Sequence, residues 1–346
     1  MMGGEVIMPN IMLTYRCNLK CPYCFANEFV NKKNTDISLE NFEKALDFIA
    51  TDGSGRVGLI GGEPLIHDKF KDIIEKLIYD NRFERIVIYT NGLLIDKYIN
   101  QLVHPKTTFL VNCNSPDDIG ENNSKHLINN LDILYKGYYM KNRVNLGINL
   151  YDIDKDYTYI MELLKRYHLH KLRISITVPD FTKNDNVNII EYFKSKKQFI
   201  LKFLKDMDTI QVVPYYDCNK PPMCIWTEEE SEWIKEYVQK YTTEESTLYG
   251  SHSFCQPVID ILPDLSAVRC FGMSDFEKVK IDNFKCASDL RYYFIGLIDE
   301  CAYKFPAETE CKECYERKIQ KCSAGCMRFK SEKIKKINQY ILNERL

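Results

Sequence analysis

Residues 57–64, "VGLIGGEP", join a short apolar run to a turn that contains two glycines and a proline. Such a run is typical of a buried strand, and Phe70, Ile74 and Leu77 then recur at helical spacing. The same alternation continues through the first 180 residues and predicts a parallel sheet that is buried on both faces, either doubly wound or curved into a partial barrel. The candidate strands are 6–13, 57–61, 85–90, 108–112, 143–150 and 171–178.

Beyond residue 180 the pattern changes. Helical patterns cover roughly 187–206 and 227–242, with the strand-like run "IQVVPYY" between them. Ten of the fourteen cysteines lie between Cys218 and Cys326. This concentration predicts a second, cysteine-rich domain. The predicted divisions are a larger domain at 1–215, a smaller one at 216–330 and a terminal helix at 331–346.

Composition narrows the class of protein. The 346 residues carry a formal net charge of −2, which gives no long-range attraction to nucleic acid or anionic lipid. Residues 5–13 are too short for a signal peptide and lack a basic segment, and no apolar run reaches membrane-spanning length. In a chain without export, fourteen cysteines indicate metal or redox chemistry, so we expect a cytoplasmic protein.

One glycine motif does not carry function. "GSGRVG", residues 53–58, fits the Gly-x-Gly-x-x-Gly pattern of dinucleotide binding. That pattern must follow a strand and open a helix, whereas here it follows a helical pattern and leads into a strand. We therefore interpret it as a loop.

Three cysteines lie close together in "YRCNLKCPYCF", residues 15–25. A structural zinc site takes four ligands, and a disulfide would leave one thiol over. An iron–sulfur cluster that only carries electrons also takes four cysteines. Three thiolates leave one iron with an open position, where a metal can act on a bound reactant. The thiols are Cys17, Cys21 and Cys24.

The segment "CNLKCPYC" resembles the CxxxCxxC motif of the radical S-adenosylmethionine (radical SAM) enzymes, including the aromatic Tyr23 before the last cysteine. The resemblance implies that Cys17, Cys21 and Cys24 hold a 4Fe-4S cluster. It further implies that S-adenosylmethionine chelates the fourth iron and is cleaved to a 5′-deoxyadenosyl radical, which abstracts hydrogen from a substrate.

Three further segments follow strands and support the resemblance. "GGEP", residues 61–64, matches the family segment that binds the amino group of S-adenosylmethionine, while "YTNG", 89–92, and "NCNS", 112–115, end the next two strands. Parallel α/β folds place active sites at the carboxyl ends of strands. The implied fold is α/β, a partial (β/α)₆ TIM-like barrel with a smaller C-terminal cysteine-rich domain. The candidate cofactor-binding residues are Tyr23, Gly61, Gly62, Glu63, Pro64, Thr90, Asn91, Asn114 and Ser115.

The segment 311–326, "CKECYERKIQKCSAGC", resembles the SPASM or twitch extensions, which bind auxiliary iron–sulfur clusters in peptide-modifying radical SAM enzymes. By resemblance, one auxiliary 4Fe-4S cluster would take Cys255, Cys270 and Cys326, and another Cys311, Cys314 and Cys322. Three features depart from the family. Seven residues instead of five separate Cys314 from Cys322, Leu265 replaces a glycine, and no cysteine follows Cys326.

These departures leave the number of auxiliary clusters at one or two. A second cluster needs another ligand from Cys218, Cys224, Cys286 or Cys301, and a structural zinc is an alternative to either. Cys224, in the loop "KPPMCIW", is also a candidate catalytic hydrogen donor of the kind that some peptide epimerases use. A cluster ligand and a buried thiol are the other interpretations of Cys224.

The functional prediction is modification of a ribosomally made peptide, by a thioether, C–C or C–O cross-link or by epimerisation. A sulfatase-type maturase, a small-molecule radical SAM enzyme and a non-catalytic zinc or cluster protein are the alternatives. The expected partners are a peptide or protein substrate, a reductant such as flavodoxin or ferredoxin, and a separate leader-recognition protein, because only sixteen residues precede Cys17. Neither a membrane nor a nucleic acid is expected.

Overall fold

A computed structural model describes residues 8–24, 30–31, 35–179, 181, 187–242, 248, 255–304 and 308–343. The chain divides into two compact units, and each of them is discontinuous in sequence. Unit 1 comprises Met1–Leu146 and Pro257–Phe294, and unit 2 comprises Gly147–Gln256 and Ile295–Leu346. The predicted domain boundaries near residues 215 and 330 do not coincide with the limits of these units, and they stay predictions.

The strands of the described residues keep the predicted order. They are β1 Asn10–Met12, β2 Arg56–Ile60, β3 Arg85–Thr90, β4 Thr107–Asn112, β5 Val144–Leu150, β6 Lys171–Ile176, β7 Val213–Tyr216, β8 Asp260–Ile261, β9 Ser266–Val268 and β10 Val279–Lys280.

The α-helices of the described residues alternate with most of these strands. They are α1 Leu39–Ala50, α2 Phe70–Tyr79, α3 Ile99–Leu102, α4 Pro116–Ile119, α5 Glu121–Asp132, α6 Thr158–Arg166, α7 Ile189–Thr209, α8 Glu228–Tyr241, α9 Ala287–Phe294, α10 Glu300–Lys304, α11 Tyr315–Lys318 and α12 Ser331–Asn343.

The sheet of unit 1 has the order β4-β3-β2-β1-β8-β9-β10. The strands β1 to β4 and β8 pair in parallel, whereas β9 pairs antiparallel with both β8 and β10. In register, Leu59 lies opposite Ile11 on one side and Ile88 on the other. All three side chains are fully buried, as expected for parallel strands that helices cover.

Helix α1 shows how the covering layer forms. Ser38 caps it, since its side chain accepts a hydrogen bond from the Asn41 backbone N–H. Phe42, Leu46 and Ile49 recur at helical spacing, and all three are fully buried. Residues 53–55 of the glycine motif lie between α1 and β2, and residues 56–58 are already in β2, so the motif follows a helix and leads into a strand, as expected.

Unit 2 begins within β5, whose residues from Gly147 onward pair in parallel with β6, and β6 pairs in parallel with β7. Helix α7 begins at the N-cap Asn188, whose side chain accepts from the Glu191 backbone N–H. The next helix, α8, begins with a capping box between Thr227 and Glu230. The predicted fold class is confirmed: the chain is α/β, with parallel strands and a cysteine-rich C-terminal region.

A β-hairpin extends the sheet of unit 1 beyond β1. It consists of β8 and β9, and Leu265 at its turn has a φ of +62°. This left-handed conformation favours glycine. Leu265 adopts it while its side chain is 7% exposed, so burial offsets the backbone strain.

No helix among the described residues is long and apolar enough to cross a membrane.

Asp260 fastens this hairpin to β1. Its carboxylate accepts from Asn10 Nδ2 at 2.7 Å and from the Phe271 backbone N–H. Asp260 is 3% exposed, and burial raises its pKa from 3.8 to about 6. The folded chain therefore holds a proton there between these two pH values, where the unfolded chain does not. The contribution of the protonated Asp260 to the stability of the fold is fully present below pH 3.8 and is lost as the pH rises through 6.

We expect Asp260→Asn to remove this pH dependence, because the amide does not titrate. Between pH 4 and 7 the free energy of unfolding of the unsubstituted chain should fall relative to that of the variant by about 1–3 kcal/mol. Urea titrations at each pH measure the difference. The exposed Asp289, substituted by Asn, is the control. Parallel pH curves for Asp260→Asn and the unsubstituted chain would contradict the assignment.

Candidate functional site

The cysteine loop after β1 is held by the glycine loop after β2. The backbone N–H groups of Gly62 and Glu63 donate to the carbonyls of Thr14 and Arg16, both at 2.8 Å. A Cβ added at Gly62 would lie 2.3 Å from the Arg16 carbonyl oxygen and 3.0 Å from Cys17 Cβ. Only glycine permits this approach, so the glycine of "GGEP" fixes the start of the cysteine loop.

The same loop is also held on its other side. Arg16 Nε donates to Asp36 Oδ1 at 3.0 Å, and Thr14 Oγ1 donates to that oxygen at 2.6 Å. Asn31 brackets Cys17: its Oδ1 accepts from the Cys17 backbone N–H at 2.9 Å, and its Nδ2 donates to the Cys17 carbonyl at 3.1 Å. The two hydrogen bonds with Asn31 therefore hold the backbone at Cys17 in place.

Glu63 joins the ends of β2 and β3 from a position that is 1% exposed. Its Oε1 accepts from Thr90 Oγ1 at 2.8 Å and from the Leu65 backbone N–H at 3.1 Å. Its Oε2 accepts from the Asn91 backbone N–H at 2.8 Å. Burial raises its pKa to about 7 although the three donors favour the charged form. Within the described structure the carboxylate has a positioning role; its predicted role toward S-adenosylmethionine stays a prediction.

Asn91 extends this connection to the cysteine loop. Its Nδ2 donates to Asn18 Oδ1 at 2.8 Å, and its Oδ1 accepts from the Leu93 backbone N–H at 3.0 Å. Asn18 directly follows Cys17. The "YTNG" segment is therefore bound both to the "GGEP" segment and to the cysteine loop, as its place at the end of a neighbouring strand predicts.

The end of β4 contacts Cys21 and Tyr23 of the motif. Asn114 Oδ1 lies 3.6 Å from Cys21 Sγ and accepts from the hydroxyl of Tyr23. Asn112 Nδ2 donates to that hydroxyl at 2.7 Å. Cys113, between the two asparagines, is buried in the core as expected. Ser115 is 2% exposed, and among the described residues its hydroxyl has no hydrogen-bond partner.

The third thiol lies against the hairpin of unit 1. Cys24 packs on an apolar cluster to which Met12 and Tyr15 contribute from the β1 side and Val268 and Phe271 from the hairpin side. The three loops after β2, β3 and β4 and this hairpin thus position all three cysteines. Sequence reasoning did not anticipate the hairpin contact, because no local pattern relates Cys24 to residues more than 240 positions later.

The donor set of this loop fits an iron–sulfur cluster. Among the described residues none of the three thiols forms a disulfide bond, and burial raises the pKa of Cys17 to about 12 and that of Cys21 to about 11. In an iron–sulfur cluster each cysteine thiolate binds a different iron, so three thiols of one loop are a suitable donor set.

Arg173, on β6 in unit 2, has its own partners. Its Nε donates to Asp217 Oδ1 at 2.7 Å, and its Nη1 donates to Asn149 Oδ1 at 3.2 Å. These bonds connect the ends of β5, β6 and β7 within unit 2. They give Arg173 a structural role in the described chain.

The later cysteines fall into both units. Cys270 and Cys286 belong to unit 1, and the hydrogen bond from the Phe271 backbone to Asp260 fixes the turn at Cys270. Unit 2 contains the remaining cysteines of the second set. These are Cys218, Cys224, Cys255, Cys301, Cys311, Cys314, Cys322 and Cys326. The predicted grouping of the auxiliary ligands stays a prediction.

Ser323 and Lys330 organise this part of unit 2. Ser323 Oγ accepts from the Cys255 backbone N–H at 3.0 Å and donates to the Gly325 carbonyl at 3.0 Å. The Lys330 ammonium, 1% exposed, donates to the Ser323 carbonyl. Lys330 directly precedes the terminal helix α12, and its side chain is buried although it is charged. Its burial lowers its pKa, and negative charge on nearby cysteines acts in the opposite direction.

The comparison with protein families decides the assignment. Residues 11–193 match the Radical SAM superfamily, which is more than half of the chain and includes all three strand-end segments. The chain belongs to the radical SAM superfamily. The expected 4Fe-4S cluster and S-adenosylmethionine are the cofactors that this family implies, and the enzyme class follows from it.

The curated relatives of this radical SAM chain include small-molecule enzymes. It is 29% identical over 228 residues to a GTP 3′,8-cyclase of Clostridium perfringens, covering 61% of this chain and 68% of the relative. It is 34% identical over 96 residues to a probable GTP 3′,8-cyclase of Methanothermobacter thermautotrophicus, covering 28% of this chain and 31% of the relative. The chain thus spans about a third of the length of the second relative.

Among solved structures, the radical SAM chain resembles Streptococcus suis SuiB bound to S-adenosylmethionine. The TM-score is 0.57 at 14% identity, and the match covers 91% of this chain and 72% of SuiB. SuiB has also been solved with its precursor peptide SuiA, at a TM-score of 0.53. At this identity the likeness shows the fold alone.

We expect Glu63→Gln to destabilise the fold at pH 8, where the carboxylate is ionised. An amide has one acceptor oxygen for three donors and places an N–H₂ group against one of them, so about 1–3 kcal/mol of the free energy of unfolding should be lost. Urea titration measures it. The exposed Glu162→Gln should stay within about 0.5 kcal/mol of the unsubstituted chain. Equal losses in the two variants would contradict the role of Glu63.

We expect Gly62→Ala to displace the cysteine loop, because its methyl group would meet the Arg16 carbonyl. Release of 5′-deoxyadenosine by the reconstituted enzyme should fall more than about tenfold, as misplacement by an ångström can cost a hundredfold. Gly137→Ala is the matched control, since nothing lies within 4 Å of its added Cβ. Retention of full activity by Gly62→Ala would show that the close approach is not needed.

Proposed function

We propose that this radical SAM enzyme abstracts hydrogen from a small-molecule substrate, and that a purine nucleotide is the first class to test. The supporting observation is the 29% identity over 228 residues to an enzyme named GTP 3′,8-cyclase. Small-molecule chemistry, an alternative at the level of sequence, is now favoured over peptide modification. The substrate and the bond that forms are part of the proposal.

The residues after β1 to β4 have distinct roles in this proposal. Cys17, Cys21 and Cys24 would hold the 4Fe-4S cluster. When bound, the cluster supplies the electron that cleaves S-adenosylmethionine to methionine and the 5′-deoxyadenosyl radical. Gly61 and Gly62 bring backbone close to the cysteine loop, so a cosubstrate ammonium could donate to carbonyl groups there.

The remaining strand-end residues position the reactants in this proposal. Thr90 and Asn91 hold the Glu63 carboxylate and, through Asn18, the cysteine loop. Asn114 and Tyr23 keep Cys21 in place, while the buried Ser115 hydroxyl remains available as a donor among the described residues. Pro64, buried at the first turn after Glu63, fixes the backbone of this loop.

Peptide modification is the second candidate function. It is supported by the cysteines of unit 2 and by the likeness in fold to SuiB, a protein solved with a precursor peptide. In this version, the cysteines of the C-terminal region would hold one or two auxiliary clusters, which would supply an acceptor for an electron or a site that orients the substrate, and Cys224 is a candidate hydrogen donor. A ferredoxin or flavodoxin in the cytoplasm would supply the reducing electron in either version.

The small-molecule function and the peptide function predict different substrates, and release of 5′-deoxyadenosine can be measured with each of them. After anaerobic reconstitution with iron and sulfide, we expect dithionite and S-adenosylmethionine to give 5′-deoxyadenosine, and addition of the substrate to raise its rate. GTP, other purine nucleotides and short cysteine-rich peptides are compared by mass spectrometry. A nucleotide product of altered mass supports the proposal.

The controls separate the general chemistry from the choice of substrate. Cys17→Ala should abolish 5′-deoxyadenosine with every substrate, whereas the buried Cys113→Ala, outside the motif, should retain it. A peptide that loses two hydrogens or gains solvent deuterium, with no nucleotide turned over, would replace the small-molecule proposal by the peptide one.

A further inference from the structure

Three cysteine-bearing turns of unit 2 converge on the N-terminus of α7. The first turn contains Cys311: its backbone N–H donates to the Glu308 carbonyl at 3.2 Å. The Glu308 carboxylate in turn accepts from the Ile189 backbone N–H at 3.1 Å and from Asn188 Nδ2 at 2.6 Å. The Cys311 turn is thus bonded to the first residue of α7 and to its N-cap.

The second turn, between Cys322 and Cys326, packs against the same residue. A Cβ added at Gly325 would lie 2.2 Å from Ile189 Cδ1 and 3.6 Å from Pro222 Cγ. Gly325 also has a φ of +81°, so its place against Ile189 requires glycine. Within this turn the Ala324 backbone N–H donates to Cys322 Sγ at 3.2 Å, which fixes the direction of the thiol.

The third turn contains Cys224. Pro222, two residues before Cys224, is the neighbour of Gly325, and the short helical turn Met223–Ile225 packs against α7. Cys224 is exposed, whereas Cys311 is buried and Cys322 is intermediate. The three turns thus bring one exposed thiol and one buried thiol to the same end of α7.

The fourth thiol, Cys314, lies three residues after Cys311 and directly before α11. The set that the three turns assemble is Cys224, Cys311, Cys314 and Cys322.

We propose that Cys224 is the fourth ligand of an auxiliary 4Fe-4S cluster whose other ligands are Cys311, Cys314 and Cys322. The proposal takes the fourth ligand from a turn that lies 87 residues before Cys311 in the chain. It rests on the radical SAM assignment only for the presence of iron–sulfur chemistry, and it does not depend on the substrate.

Four cysteine thiolates are the ligand set that a 4Fe-4S cluster takes, one on each iron, and also the set of a structural zinc site, in which all four bind one ion. The metal content measured below distinguishes the two. The four thiols lose their protons as the cluster forms, and no change of sulfur oxidation state is needed. A ligand role also competes with the hydrogen-donor role of Cys224, since a bound thiolate has no hydrogen to donate.

The first experiment counts iron in a chain that lacks the cluster of the radical SAM motif. Cys17, Cys21 and Cys24 are all replaced by Ala, and the full chain is reconstituted anaerobically with iron and sulfide. Adding Cys224→Ala should remove about four irons per chain, or convert the EPR signal to that of a three-iron cluster. The double change Cys311→Ala and Cys314→Ala should remove the same number.

Cys218→Ala is the matched control, because Cys218 is also exposed and lies in the same loop. It should leave iron content and EPR signal unchanged. Full iron content and an unchanged signal in Cys224→Ala would overturn the proposal, and so would stoichiometric zinc in place of iron. Far-UV circular dichroism establishes that each variant is folded.

A second measurement uses the unsubstituted chain. Iodoacetamide labelling followed by peptide mass mapping should modify Cys224 at least tenfold more slowly after reconstitution than before it, while Cys218 reacts equally in both states. Equal labelling of Cys224 in the two states would overturn the proposal. Release of 5′-deoxyadenosine is assayed separately, so failure of the radical SAM reaction and failure of this ligand assignment are distinguishable.

Discussion

The buried carboxylate of Glu63 is the constraint on which the site of unit 1 depends. It accepts two hydrogen bonds from the end of β3, donated by Thr90 and Asn91, and a third from Leu65 in its own loop. Without the carboxylate, these three buried donors would lose their acceptor. Because Asn91 also bonds to Asn18, Glu63 connects the ends of β2 and β3 to the cysteine loop. The cysteine positions are thus a consequence of strand pairing, transmitted by hydrogen bonds.

The sequence predicts the parts of the fold that have a local pattern. The alternation in 85–90 coincides with β3, and the strand-end positions of "GGEP", "YTNG" and "NCNS" follow from it. Strand β10 was not predicted, because two residues carry no periodicity. The spacing of Cys17, Cys21 and Cys24 indicated iron–sulfur chemistry, and the family assignment confirms that part.

Other features depend on residues far apart in sequence. Asn10 and Asp260 are 250 positions apart, and neither has a neighbour that would mark it as a partner of the other. Lys330 has lysines near it in sequence at 333, 335 and 336, and no local pattern distinguishes it from them as a buried residue. Its burial beside Ser323 results from tertiary packing within unit 2. Contacts of this kind become visible only when the fold places them together.

The hairpin of β8 and β9 also has a consequence for solubility. In a parallel sheet, a strand such as β1 with a free side would expose a row of N–H and C=O groups that another chain could pair with. Here β8 occupies that side of β1, and the sheet of unit 1 then ends in antiparallel strands of three and two residues. So short an outer strand offers few backbone groups for intermolecular pairing. The attachment that positions Cys24 thereby also protects the sheet against edge-to-edge aggregation.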